Sequence, residues 1–444
     1  MAAPSSVWFR DDLRLADNPA LTAAAQRGAV VGVYVLDDES ADVRPKGAAS
    51  RWWLHHSLTA LNASMNGRLV LRRGRAEDVV PALVEELGAT EIHWNRRYGS
   101  AREIDARLKA RFGEQGIGAH SHHANLLFEP WTVTTGEGNP FKVFTPFWRA
   151  ARELPVRDPL PVPSVEWQSA PGDALDAWEL LPTRPDWAAG LRETWEPGEA
   201  AASARLDDFV EHRLKDYHRR DEPHVEATSG LSPHLAFGEV SPFQVWARAH
   251  GDMTADARRN VAKFLSELGW REFNWSILFQ HTDLATRNYR EAFDAFPWSE
   301  PRPHELLAWQ QGNTGIPLVD AGMRELWHTG YMHNRVRMVT ASFLIKNLLI
   351  DWRVGEQWFW DTLVDADDAN NPGNWQWVAG SGADAAPYFR VFNPLLQAAK
   401  FDPDGGYVTR WVPEVDSAEY PEPIVDLAAT RKDALEAYEH VKRA

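Results

Sequence analysis

DADDANNPGNWQWVAGSGADAAPYFRVFNP, residues 365–394, packs three acids, two adjacent asparagines, a Pro-Gly break and Trp-Gln-Trp into its first thirteen positions. A structural loop rarely concentrates so many polar and aromatic groups, whereas a ligand pocket carries a few placed polar groups in an apolar wall. The apolar helical segment GEQWFWDTLV precedes it. Working outward, almost everything after residue 205 has helical apolar spacing: ASARLDDFVEHRL, SPFQVWARAH, ADARRNVAKFLSELGWREFNWSILFQ, PLVDAGMRELWHTG and HNRVRMVTASFLIKNLLIDWR. The C-terminal half therefore reads as a helical domain built around a pocket.

Three upstream stretches also concentrate groups that could carry chemistry. HTGYMHNRVRMVTASFLIKNLLIDW (residues 328–352) puts Arg335 and Arg337 at the start of a segment apolar enough to be buried. A buried guanidinium needs a carboxylate or a bound anion. In FLSELGWREF, Glu267, Trp270 and Arg271 share one helix face; this is either a surface ion pair beside a core tryptophan or a pocket wall. TSGLSPHLAFGEVSP, from Thr228, sets hydroxyls and a glycine before a helix, as an N-cap or an anion cradle would. His333 reads as a packed, hydrogen-bonded side chain.

A chain of 444 residues suggests two domains. It has no cysteine, which excludes disulfides, thiolate metal sites and cysteine nucleophiles. The start MAAPSSVWFRDDLRL lacks the features of a signal peptide and no apolar run is long enough for a membrane span, so a cytoplasmic protein is expected. A net charge of −16 argues against general nucleic-acid affinity but not against a local basic stripe. Most of the 22 tryptophans should be core.

The first third alternates strand-like runs (SSVWFRDDLR, AVVGVYVLDD, GRLVLRRGR, ATEIHWNRRY and a short run around residues 123–128) with helical ones. This predicts a parallel sheet covered on both faces, with function at the carboxyl ends of the strands, near Arg10, Asp11, Asp12, Asp37 and Asp38. No Gly-x-Gly-x-x-Gly follows the first strand, and Gly136 and Gly138 are weak grounds for a nicotinamide site. Metal binding is not expected: His120, His122 and His123 cluster, but no carboxylate is spaced in sequence to complete a site. From about 150 to 205 prolines accumulate and periodicity is lost, as in a long surface linker.

The four C-terminal stretches, in order, resemble the flavin-binding domain of the photolyase and cryptochrome family, and VWFRDDLRLADNPAL near the N-terminus is similar to its antenna domain. The resemblance implies a Rossmann-like α/β antenna domain (1–130), a linker (131–205) and an all-helical FAD-binding, DNA-lesion domain (206–444). It implies FAD phosphates lined by Thr228, Ser229, Leu231, Ser232 and Tyr217, with Asn334 and Arg271 among the cofactor contacts. Arg337 should pair with Asp365 beside the flavin ring, Asp367 should reach the ring or ribose, and Asn371 should face flavin N5. Glu267 would bond the lesion's pyrimidine edge. Trp270 and Trp377 would wall the lesion cavity with Met338 nearby, and Arg335 and Arg390 would hold flanking phosphates. An electron relay maps onto Trp375, Trp352 and Trp298, inner to outer.

The resemblance also ranks the functions. A neutral amide at Asn371 and a chain ending at Ala444 without a long tail favour repair of UV-damaged DNA over a cryptochrome-type blue-light receptor, in which plant members carry aspartate at that place. Asn334, standing where (6-4) photolyases use a histidine, favours cyclobutane pyrimidine dimers over (6-4) photoproducts. Ala101 and Arg102 replace the Asn-Glu pair that holds folate in one branch, so the antenna should be 8-hydroxy-5-deazaflavin or FMN rather than methenyltetrahydrofolate, if the site is filled. A monomer with no membrane partner is expected.

Overall fold

The computed structural model describes residues 3–251, 255–386 and 389–443. Its N-terminal part is a five-stranded sheet in the order β3-β2-β1-β4-β5, parallel throughout: β1 Ser5–Phe9, β2 Val30–Leu36, β3 Val70–Arg73, β4 Glu91–Asn95 and β5 Gly118–His122. β1 and β2 are apolar on both faces because both are covered. Val7, Phe9, Val30 and Leu36 pack under α1 (Pro19–Ala25) and α2 (Ala48–Ser64). Trp8, Val31, Val33 and Val35 pack under α3 (Ala76–Leu87) and α4 (Arg102–Glu114).

Two expectations need correction here. The fifth strand is the polar run GAHSH, not the apolar run around residues 123–128. Leu127 and Phe128 are buried instead against the helical part of the molecule, which drew their apolar character away from the sheet. The sheet also brings Glu91, on β4, beside His93 and His120, so a carboxylate does accompany the histidine cluster; it lies one strand away rather than nearby in sequence.

The proline-rich segment is not a loose surface strap. Trp167 pairs with Val30 at the sheet, and Trp178, Leu180, Leu191 and Trp195 enter the core over α1 and α2. Five large apolar anchors in a stretch without periodicity suffice to tie it down, because each large side chain contributes roughly 1.5–3 kcal/mol on burial. α5 (Phe144–Ala151) precedes it, α6 (Ala189–Thr194) lies within it, and α7 (Glu199–Asp208) ends it.

The remainder is helical: α8 (Ser232–Ala236), α9 (Pro242–Ala249), α10 (Ala255–Gln280), α11 (Pro303–Gln311), α12 (Pro317–Thr329), α13 (Asn334–Ser342), α14 (Trp352–Thr362), α15 (Asn370–Ala379), α16 (Pro394–Phe401), α17 (Gly406–Trp411) and α18 (Leu427–Arg443). The single helix expected over HNRVRMVTASFLIKNLLIDWR is interrupted. A π-helical turn at Phe343–Asn347 and a left-handed Leu349 (φ 55°) end it, and Asp351 caps a new helix by accepting from Arg353 N at 2.9 Å. Trp352 thereby opens α14.

The two parts are joined by buried polar contacts. Arg14, fully buried, donates to Gly238 O at 2.9 Å, and Leu13 N bonds Phe237 O at 3.1 Å. Gly238 is left-handed (φ 63°), and a Cβ there would lie 2.2 Å from Asp11 O, so only glycine allows this approach. No helix among the described residues is long and apolar enough to cross a membrane.

Candidate functional site

A cavity of about 480 Å³ opens among α10, α13, α15 and the loop before α8. Thr228, Ser229, Leu231 and Ser232 line one end together with Tyr217, whose ring packs edge-on to Phe264. Glu267, Trp270 and Arg271 face it from α10, and Asn334, Arg335, Arg337 and Met338 from α13. Asp365, Asp367, Asn371, Trp375 and Trp377 complete it. Helical spacing explains the convergence: Asn334, Arg337, Met338 and Ala341 recur at three- and four-residue intervals along one face of α13.

At its base Arg337 donates to Asp365 Oδ2 at 2.8 Å and to Met332 O at 2.7 Å. Burial alone would lower the guanidinium pKa, but the Asp365 charge and hydrogen bond more than offset it and hold it above its ordinary value. Ser232 Oγ donates to the same carboxylate oxygen at 2.6 Å. The other oxygen, Oδ1, is buried and has no partner among the described residues. An orphaned acceptor next to a fixed cation fits the donor-and-acceptor edge of a flavin ring.

Asn371 is nine-tenths buried, and its Nδ2 donates to Glu356 O at 3.0 Å and to Glu356 Oε1 at 2.8 Å. This leaves the amide oxygen, an acceptor, for the cavity. Glu356 is held in turn by Arg44 from the N-terminal part, through two bonds of 2.7 and 2.8 Å. Neither Glu356 nor Arg44 was anticipated from sequence. The available signal was position: Trp352, Gly355, Glu356 and Phe359 form the buried stripe of α14, and a carboxylate in such a stripe requires a partner.

Other side chains depart from simple expectation. Glu267 does not pair with Arg271; it contacts Lys263 at 2.9 Å and Arg220 at 3.4 Å. Arg271 pairs with Glu272 at 3.2 Å. Burial pushes the Glu272 carboxyl up to about 7 even though Arg271 and the amides of Leu127 and Phe128 pull it down. Asp367 uses both oxygens to start α15, accepting from Ala369 N, Asn370 N and Asn370 Nδ2 at 2.6–2.8 Å. Arg335 donates to Asp221 at 2.9 Å, so its charge is compensated within the protein. His333 is packed as expected, with Nε2 2.9 Å from Arg220 O, and burial pushes it down to about 4.

Trp270 stacks on Phe144 at 3.8 Å and 10°, which fixes one aromatic wall. Arg390 is not part of the cavity wall, but its guanidinium lies 5.6 Å from the Trp377 ring. Of the tryptophan series, Trp375 lines the cavity and Trp352 is wholly buried, donating to Asn288 Oδ1 at 2.9 Å. Trp298 is partly exposed beside Phe296. α14 and α15 can approach here because of Gly355, where a Cβ would lie 2.2 Å from the Trp375 ring. Gly355→Ala is expected to displace Trp375 and destabilise the protein by about 1–3 kcal/mol through overpacking. Thermal unfolding measures it, and an unchanged melting temperature would refute it.

At the strand ends, where function was expected, Arg10, Asp11 and Asp38 are engaged by protein groups. Arg10 binds Asp105 (3.2 Å) and Asn95 O, Asp11 binds Lys46 (3.0 Å), and Asp38 binds Arg51 (2.8 Å). Arg102 donates to Phe279 O at 2.8 Å and lies over the Phe279 ring.

Residues 5–164 match the family model described as DNA photolyase, and residues 264–419 match that of the FAD binding domain of DNA photolyase. A deoxyribodipyrimidine photo-lyase of Agrobacterium fabrum is 47% identical, over 99% of this chain and 98% of the relative. Cryptochrome-1 of Arabidopsis thaliana is 37% identical over 93% of this chain and 63% of its own length. The crystal structure of a bacterial class III photolyase from Agrobacterium tumefaciens superposes with a TM-score of 0.94 at 45% identity, covering 100% of this chain and 98% of that one.

Proposed function

The chain belongs to the DNA photolyase family and carries its FAD-binding domain, and from that premise we propose that it is a deoxyribodipyrimidine photo-lyase that splits cyclobutane pyrimidine dimers in UV-damaged DNA under blue light. The observation that carries this reading is the neutral Asn371 amide, oriented by Glu356, in a cavity walled by Trp270 and Trp377. FAD held by Arg337, Asp365 and the Thr228–Ser232 segment would supply a photoexcited electron for opening the two ring bonds and would take it back, with no net redox change.

The protein's residues do the rest. Arg337 and Asp365 orient the flavin ring through a fixed charge pair and the free Asp365 oxygen. Thr228, Ser229, Leu231, Ser232 and Tyr217 border the phosphate end. Asn371 offers an acceptor without adding negative charge. Trp270 and Trp377 replace the stacking that a flipped pyrimidine pair loses, and Glu267, still partly exposed, bonds its polar edge. Phosphates flanking the lesion would draw on Arg335, in exchange for Asp221, and on Arg390. Trp375, Trp352 and Trp298 carry electrons inward from the surface when the cofactor must be reduced.

We divide the chain into an antenna domain (1–130), a linker (131–205) and the catalytic domain (206–444), and assign any antenna chromophore to the deazaflavin or FMN class. The reading predicts that reduced protein mixed with dimer-containing DNA restores intact pyrimidines under blue light and not in the dark. Absence of light-dependent repair would overturn it in favour of a light receptor, as the cryptochrome relative suggests.

A further inference from the structure

We propose that Glu91, His93 and His120 form a binding site for a divalent cation of the zinc class at the free edge of the N-terminal sheet, with His122 as the partner that orients His93. The site lies apart from the flavin cavity and nothing in the photolyase reading uses it.

The register builds it. β4 and β5 run parallel with His93 opposite His120 and Asn95 opposite His122, so alternate residues Glu91, His93, His120 and His122 project from one face. The ligand atoms of Glu91, His93 and His120 lie within 4.8 Å of one another. Glu91 Oε2 is 3.4 Å from His93 Nε2 and 3.9 Å from His120 Nε2. Bonds of about 2.0–2.1 Å in tetrahedral array separate adjacent ligand atoms by roughly 3.3–3.4 Å, so only a small shift of His120 completes the set.

A second observation points to a ligand. His93 has a side chain only 4% exposed, yet its Nε2 has no hydrogen-bond partner, and neither has Glu91 Oε2 opposite it. Glu91 Oε2 has only longer ion-pair contacts, 3.4 Å to His93, 3.5 Å to Arg27 and 3.9 Å to His120, and a cation between the carboxylate and the two imidazoles would bond all three directly. On the far side of the ring, His93 Nδ1 lies 3.2 Å from His122 Nε2. With His122 accepting, the proton sits on His93 Nδ1 and the Nε2 lone pair is directed at the site, the arrangement typical of a ligating imidazole and its outer partner.

Two imidazoles and one carboxylate suit zinc, nickel or copper better than magnesium or calcium. His120 is partly exposed, leaving a fourth position open to water. The role is structural: β5 is the edge of the sheet and none of its five residues is buried, so a bound cation would pin it to β4. Arg27, whose Nε is 3.5 Å from Glu91 Oε2 on an exposed side chain, competes for the carboxylate.

The test uses the full flavin-containing chain after chelator treatment, titrated with zinc chloride by calorimetry and followed by thermal unfolding. One saturable zinc per chain is expected, with a rise in melting temperature that magnesium does not produce. Glu91→Gln and His120→Ala should each weaken binding at least tenfold and remove the thermal shift. Arg27→Ala should tighten it. No saturable site in the wild-type protein, or unchanged zinc binding in both ligand variants, would overturn the proposal. His120 is exposed enough that its replacement leaves folding intact.

Discussion

Asp365→Ala should yield protein that is purified nearly free of flavin and unfolds at lower temperature. The carboxylate accepts from Arg337 at 2.8 Å and Ser232 at 2.6 Å, and its remaining oxygen is the unpartnered acceptor in the cavity. Removing one member of a largely buried ion pair leaves the other uncompensated, at about 3–5 kcal/mol. The double variant Arg337→Met/Asp365→Leu separates the two effects. Replacing both charges by apolar groups should recover much of the stability, while flavin, which needs the polar atoms, stays lost. Flavin absorbance per chain and calorimetric unfolding measure both. Full flavin occupancy in Asp365→Ala would exclude the proposed role of the pair.

Trp352→Phe is expected to abolish light-driven reduction of oxidised flavin by an external reductant, while repair by chemically pre-reduced protein continues. A phenyl ring is far harder to oxidise than an indole, so a relay through this position stops. Repair itself does not draw on the relay. The structural penalty is confined to a small cavity and to Asn288 Oδ1, which loses the indole N–H 2.9 Å away, about 1–3 kcal/mol in a chain of this size. Absorbance changes under blue light with reductant present measure the first effect, and dimer repair the second. Unimpaired photoreduction would move the relay elsewhere in the molecule.

How far the site could be read in advance follows from how its residues are arranged. Those that recur along one helix were legible: Arg337 and Met338 on α13, Glu267, Trp270 and Arg271 on α10, and the polar-aromatic run at the start of α15. Periodicity assigns such residues to a face, and a buried arginine announces its need for an acid. Family resemblance then named Asp365 as that acid. Irregular segments were less legible. The proline-rich stretch had no period to show that Trp167, Trp178 and Trp195 are core, and GAHSH is too polar to announce itself as a strand.

The amino-acid sequence by itself determined the alternating first third, the helical remainder and the absence of cysteine chemistry. These are consequences of residue type and spacing along single elements. Beyond the Arg337–Asp365 pair that the family resemblance named, tertiary structure decided which groups complete one another across elements. Arg44 reaches Glu356 from 312 residues away, and Glu356 turns the Asn371 amide. Glu91 meets His120 only because β4 and β5 adopt one register. Hydrogen bonds and metal ligands act over about 2–4 Å, and distances of that order between separate elements are set by packing and not by any spacing along the chain.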